Sequence, residues 1–311
     1  MLRYTVLSGF LGSGKTTLLR RTLDAHAKGE IAVIVNELAP SGVDAHLIAD
    51  ACAATVEITG GCACCDKRPE LIDVMRRLLD GHERGPLGSL KHVVIETSGL
   101  ADPLPIVVAV ATDPVLRHHF ELSSVVTVVD CLGDIGLGEH PEFSRQVMSA
   151  DRLLISKTDL ATPAQVAALE GRLSRQPGLL ERTSDAWRTL LVPPRTGGVT
   201  RSVQPPDGTA HEHTPGIASI SLNVDEALDW TAFGVWLTML LHAHGQRVLR
   251  IKGVVNAAGL GPISINAVQQ VLHRPKHVDS MPKEGPALVV IAQDLRADLI
   301  RRSLLAFQQI A

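Results

Sequence analysis

Residues 58–71 read ITGGCACCDKRPEL and crowd Cys62, Cys64 and Cys65 into four positions, in a chain with 5 cysteines altogether. Thiols so close on one short loop cannot readily reach the Cα spacing and torsion that a disulfide needs. A metal site or a reactive thiol cluster remains. Thiolates are soft donors suited to Zn²⁺, Co²⁺ or Cu(I), and several together offset the hydration shell a metal gives up. Cys65 lies just before a helical pattern, whose positive N-terminal end would lower a thiol pKa and favour the metal-binding thiolate. Three cysteines without a fixed fourth protein ligand leave an exchangeable position, which suits transfer of a metal better than permanent structure.

A second constellation handles phosphate. Gly9 to Thr16 reads GFLGSGKT, which fits G-x-x-x-x-G-K-[ST]. In that motif Gly9, Gly12, Ser13 and Gly14 let backbone N–H groups curl round a phosphate at a helix N-terminus. Lys15 would reach the β and γ phosphates, and the Thr16 hydroxyl would ligate Mg²⁺. Further on, HVVIETSGLADP ends an apolar strand in Glu96, where a P-loop enzyme holds Mg²⁺ through water, and Gly99 can swing with the γ phosphate. Lys15 and Glu96 are thus the candidate catalytic residues. In RLLISKTDL, Lys157 and Asp159 follow another strand. A carboxylate at Asp159 can accept hydrogen bonds from N1 and N2 of guanine, a pattern adenine cannot match.

The elements that must position these groups alternate. RYTVLS reads as a strand before the Gly loop, followed by a helix with Leu19, Leu23 and Ala27 on one face. EIAVIVN, ATVEI, HVVIE, SVVTVVD and RLLIS read as further strands separated by helical patterns. PELIDVMRRLLDG repeats Leu71, Ile72, Met75, Leu78 and Leu79 at helical spacing, with Pro69 in its first turn and Gly81 as its stop. Strands alternating with helices predict an α/β fold, a P-loop NTPase domain with a mostly parallel sheet over residues 1–192. Residues 193–216, rich in Pro, Gly and Thr and carrying His211 and His213, read as a linker. Residues 217–311 then read as a smaller C-terminal α+β domain. Its Trp230, Phe233, Leu237 and Leu241 stripe is expected in the core, as are the isolated Cys52 and Cys131.

Composition narrows the setting. Lys plus Arg is 30 against 33 for Asp plus Glu, a net charge of −3 with no basic run, which argues against nucleic acid and anionic membranes as partners. No apolar stretch is long enough to span a bilayer, and the first residues show no charged leader before an apolar run. Few cysteines and no leader point to a reducing cytoplasm, where clustered thiols bind metal or do chemistry.

In order, GFLGSGKTTLL, IVNE, GGCACC, ETSGLADP, VVTVVD and SKTDL resemble the CobW family of P-loop GTPases, and LRIKG and INAVQQVLH resemble that family's C-terminal domain. The resemblance implies a GTP-dependent metallochaperone for zinc or cobalt, or an activator of metalloenzymes. It assigns phosphate binding to Gly12, Gly14, Lys15, Thr16 and Thr17, guanine recognition to Lys157 and Asp159, and metal binding to Cys62, Cys64 and Cys65. It also makes VNE, residues 35–37, the start of the first switch segment, with Glu37 near nucleotide or metal. The chain departs from the family pattern at Ala39, Pro40 and Ser156, and its His-rich loop is reduced to His211 and His213.

The reading is therefore a GTPase that uses GTP, Mg²⁺ and a bound transition metal, zinc first and cobalt second, to serve a client metalloprotein or metal-cofactor enzyme. Assembly as a homo-oligomer stays open. Two alternatives stand beside it: a GTP-dependent docking protein with a structural zinc, and an ATP-driven P-loop transferase.

Overall fold

The computed structural model describes residues 1–37, 52–59, 68–133, 140–174, 179–182, 190–192, 211–214, 217–223, 226–281 and 287–310. The chain divides into two units, one of Met1–Ser174 with Leu180–Pro194 and the other of Arg195–Ala311 with Arg175–Leu179.

In the first unit, strands β1 (Leu2–Gly9), β2 (Ile31–Glu37), β3 (Ala54–Thr59), β4 (His92–Glu96), β5 (Phe120–Asp130), β6 (Arg152–Ser156) and β7 (Leu179–Arg182) form one sheet in the order β3-β2-β4-β1-β5-β6-β7. The pairings among β1 to β6 are parallel. Their near-continuous apolar runs fit a sheet covered on both faces, and every residue of β4 and of β6 is buried. β1 lies between β4 and β5, so the chain leaves its C-terminal end where strand order reverses, the place at which open α/β sheets bind ligands.

Helix α1 (Lys15–Asp24) buries Leu18, Leu19 and Leu23 against this sheet. It stops before Ala27, which is exposed, so the expected apolar stripe is one turn shorter than its periodicity suggested. Helix α2 (Arg68–Arg84) buries Leu71, Val74, Met75, Leu78 and Leu79. At about 1.5–3 kcal/mol for each large apolar side chain removed from water, packing rather than propensity holds it. Gly81 does not end this helix. The chain turns back beyond Arg84, with Leu87 N–H donating to the Gly81 carbonyl at 2.9 Å. The Leu87 side chain then lies where a Cβ on Gly81 would come within 3.0 Å. The remaining helices are α3 (Leu104–Thr112), α4 (Leu116–His119), α5 (Pro141–Ser149) and α6 (Pro163–Leu173).

The second unit carries a seven-stranded sheet. Its strands are β8 (His211–Thr214), β9 (Ile217–Asn223), β10 (Val248–Ala257), β11 (Gly261–Val268), β12 (Val271–Leu272), β13 (Lys276–His277) and β14 (Ala287–Gln293). The order is β12-β11-β10-β14-β9-β8 with β13 on β11, and these strand pairings are antiparallel. β8 falls inside the stretch read as linker: His211 and Glu212 pair with Ser219 and Ala218 instead of lying in a structureless connection. Helices α7 (Trp230–His244) and α8 (Ala297–Ile310) pack together, with Trp236 Nε1 donating to Ser303 Oγ at 2.9 Å. Phe233, Leu237 and Leu241 are buried as expected, Trp230 is half-buried against them and stacks on Phe233 at 5.8 Å, and Trp236, outside the expected stripe, is buried too. Asp229 starts α7 as its N-cap, accepting from the Ala232 N–H at 2.7 Å.

Candidate functional site: a phosphate loop at the sheet's C-terminal edge

β1 ends at Gly9 and α1 begins at Lys15, so the loop between them is a strand-to-helix turn. Gly14 caps the helix with φ 92° and ψ 22°, a left-handed conformation that a side chain would strain. Ser13 N–H closes the turn on the Phe10 carbonyl at 3.2 Å. Lys15 is buried, and its ammonium donates to the carbonyls of Gly9 at 2.8 Å and Phe10 at 3.2 Å. The long side chain thus folds back over its own loop and holds a positive charge there. Thr16 Oγ1 donates to Glu96 Oε1 at 2.7 Å, tying the start of α1 to the end of β4. Glu96 is only 1% exposed, whereas Thr17 is exposed. Thr16 and Glu96 offer hard oxygen donors side by side, which is the chemistry Mg²⁺ accepts.

Buried hydroxyls surround this point. Ser13 Oγ, Thr97 Oγ1 and Ser98 Oγ have no hydrogen-bond partner among the described residues. A buried donor without an acceptor is costly, and the oxygens of a phosphate chain would satisfy such donors. The residues present therefore fit a nucleoside triphosphate with its metal ion.

The turn after Glu96 presses on the phosphate loop. A Cβ on Gly99 would lie 2.7 Å from the Leu11 amide nitrogen and 2.8 Å from its Cα, so only glycine allows this approach. Helix α5 holds the other side. Gln146 Nε2 donates to the carbonyls of Gly99 at 3.1 Å and Ala101 at 3.0 Å, and Arg145 lies 3.9 Å from Asp102. Burial pushes the Asp102 carboxyl above the usual carboxylate range, opposed by the Leu104 N–H and Arg145.

On the opposite flank, β6 ends at Ser156, whose Oγ donates to the Ser13 carbonyl at 2.6 Å with the Val129 carbonyl 3.2 Å away. This bond fixes the loop after β6 to the Gly9–Thr16 loop. Lys157 adopts φ 56°, a left-handed conformation uncommon for a side-chain-bearing residue. Its ammonium pairs with Asp130 Oδ2 at 2.6 Å, and Asp130 Oδ1 accepts the Leu132 N–H at 2.9 Å. Asp159 is exposed, and a turn closes behind it as Leu160 N–H donates to the Lys157 carbonyl at 3.1 Å. A capping box then starts α6: the Thr162 hydroxyl accepts the Gln165 N–H, and the Gln165 side chain accepts the Thr162 N–H.

Cys62, Cys64 and Cys65 lie outside the described residues, as do Ala39 and Pro40. The strands leading to both segments are described. Glu37, the last residue of β2, pairs in register with Thr59, the last of β3, while Val35 pairs with Glu96. The cysteine segment is thus entered from the same sheet edge that carries Glu96. Among the described residues no cluster of three His, Cys, Asp or Glu could hold a metal. Cys131 is buried, and Cys52 is half-buried beside Thr55 Oγ1, its thiol pKa raised by burial.

Asp130, Gln146 and the Ser156 hydroxyl were not singled out as functional from the sequence. Asp130 had a signal, as a lone carboxylate closing the apolar run VVTVV. Gln146 had a weaker one, a polar residue among Phe143, Val147 and Met148 on a buried helix face.

Comparison with known proteins gives a consistent picture. The family model described as CobW/HypB/UreG, nucleotide-binding domain, matches residues 3–181, and that of the cobalamin synthesis protein cobW C-terminal domain matches residues 217–308. The zinc chaperone YjiA of Escherichia coli is 40% identical over 172 residues, covering 55% of this chain and 53% of that protein, about half its length. The zinc chaperone CobW of Pseudomonas aeruginosa is 31% identical over 349 residues, covering 97% of this chain and 90% of that one. Among solved structures, a zinc-bound triple mutant of the YjiA GTPase aligns with a TM-score of 0.69 at 25% identity, covering 99% of both chains. The chain belongs to the CobW family, with that family's nucleotide-binding domain followed by its C-terminal domain.

Proposed function

We propose that this protein is a GTP-hydrolysing metallochaperone. It takes up zinc at Cys62, Cys64 and Cys65 and passes it to a client metalloprotein or metal-cofactor enzyme in the cytoplasm, with the nucleotide state setting zinc affinity. The observation that carries the reading is the 2.7 Å bond from Thr16 to the buried Glu96. It joins the phosphate loop to the strand whose following turn packs against Leu11. The same sheet edge feeds both Glu37 and the cysteine segment. The relatives named zinc chaperones support zinc as cargo, and cobalt suits the same thiolate donors.

In this reading Gly9, Gly12, Ser13, Gly14 and Thr17 line the phosphates, and Lys15 turns from its own carbonyls to the β and γ oxygens. Thr16 and Glu96 would hold Mg²⁺, Glu96 through water, which supplies neutralisation of the charge on those oxygens. Gly99 meets the γ phosphate by its backbone. Asp159 accepts from N1 and N2 of guanine, and Lys157, steadied by Asp130, lies along the base. Glu37 carries nucleotide state towards the cysteines. Basal turnover is expected to be slow until a client or metal completes the site.

The test is base choice. The protein should hydrolyse GTP and largely ignore ATP, and Asp159→Asn should shift preference towards xanthosine triphosphate, whose hydrogen-bond pattern is inverted at that edge. Equal turnover of ATP and GTP by the unaltered protein would sink the reading.

A further inference from the structure

Gln146 is fully buried in α5, yet its side chain serves no part of the apolar core. Both bonds donated by Nε2 go to main-chain carbonyls of one turn, those of Gly99 and Ala101. Its Oε1 is buried without a hydrogen-bond partner among the described residues. Burying an amide whose oxygen is unsatisfied costs stability, so what this side chain contributes is the grip on the turn. The helix is itself fixed to the sheet at the same residue, because Thr127 Oγ1 on β5 donates to the Gln146 carbonyl at 2.8 Å.

The turn it grips is tightly defined. Ala101 N–H donates to the Ser98 carbonyl at 3.1 Å, so Ser98 to Ala101 form a closed turn with Gly99 second in it. Gly99 abuts the backbone of Leu11 on the phosphate loop. The Gly99 carbonyl and the Leu100 N–H belong to one planar trans peptide and point in opposite directions. Holding that carbonyl towards α5 therefore fixes the whole peptide plane. The turn is clamped between the phosphate loop on one side and Gln146 on the other.

We infer that Gln146 is a positioning residue that sets how strongly the protein distinguishes GTP from GDP. This rests on the reading of the Gly9–Thr16 loop as a nucleotide site and of the Gly99 turn as the part that meets the γ phosphate. With the turn clamped, contact with a γ phosphate costs little extra ordering. Without the two donors the turn samples other peptide orientations, and the γ phosphate must pay for their loss. GDP has no γ phosphate, so its affinity is untouched.

The experiment measures affinity for GDP and for a non-hydrolysable GTP analogue, each with Mg²⁺, in the full chain and in Gln146→Leu, which removes both donors and the unpaired oxygen at similar volume. The unaltered protein should prefer the analogue. Gln146→Leu should keep GDP affinity within about twofold and lose roughly tenfold in analogue preference, the scale of one or two hydrogen bonds. GTP turnover should fall in parallel. Should Gln146→Leu fail to fold, Gln146→Met keeps the unbranched shape at similar volume without either donor, and the same loss is expected. A preserved preference in a folded variant, or no preference in the unaltered protein, overturns the inference while leaving the nucleotide site standing. Absence of any guanine-nucleotide binding by the unaltered protein, or binding that survives Lys15→Ala unchanged, overturns the underlying reading as well.

Discussion

His92 begins the strand that ends in Glu96, and it is only 3% exposed. Its Nε2 lies 2.9 Å from Thr5 Oγ1 on β1. Burial, reinforced by the positive charge of Arg3 and by His26, pushes its pKa from 6.5 down to about 3. The folded protein therefore keeps this imidazole neutral where the unfolded chain would protonate it. Between those two pKa values the unfolded state binds more protons, so the stability His92 contributes is complete above about pH 6.5 and is lost as pH falls towards 3. At ~1.4 kcal/mol per pH unit, acidification from pH 6.5 to 5 should remove about 2 kcal/mol through this one group. Urea unfolding of the unaltered protein and of His92→Gln, at pH 7.5 and at pH 5, isolates the contribution. The Gln variant should lose about 2 kcal/mol less between the two pH values. Equal losses in the two proteins, or an imidazole that titrates near pH 6.5 in the folded state by NMR, would refute the argument.

Glu96→Gln should slow GTP hydrolysis by at least about tenfold while nucleotide affinity stays within a few-fold, because an amide still accepts from Thr16 but lacks the charge that supports Mg²⁺; single-turnover kinetics beside equilibrium binding read the two separately. Asp130→Asn should keep the bond to the Leu132 N–H but lose the ion pair to Lys157. As Lys157 is partly exposed, the pair is screened, and the expected effect is a rise in KM for GTP of about three- to tenfold with kcat little changed. An unchanged KM would show that Lys157 needs no such support.

Much of this architecture was legible in the sequence because the strands that build it are apolar runs with turn signals at both ends. HVVIE and RLLIS, with every residue buried, gave a clear parallel-sheet signal, and the motif at Gly9–Thr16 needed only the strand before it and the helix after it. Where expectation and structure part, tertiary contact is the reason. Ala27 carries on the helical spacing of Leu19 and Leu23, but nothing buries it, and α1 ends at Asp24. Gly81 looks like a helix stop, yet it serves the close return of Leu87. His211 and Glu212 sit in polar, Pro-rich surroundings and become a strand only because β9 offers an edge. The same holds for the site. Lys15, Thr16 and Glu96 carry their meaning in a local pattern, whereas Gln146 and Asp130 act through partners 47 and 27 residues away, which no local pattern encodes.

Nucleotide state should govern zinc affinity in this protein. Competition against a zinc indicator of known affinity, with the protein loaded in turn with Mg²⁺ and a non-hydrolysable GTP analogue, with GDP, or with no nucleotide, measures it directly. Zinc should bind more tightly in the analogue form than in the GDP form, and by linkage zinc should tighten analogue binding by the same factor. Replacing Cys64 and Cys65 by Ala should erase the difference and leave nucleotide affinity intact. Identical zinc affinity in all three forms would contradict the account and leave zinc as a static structural element.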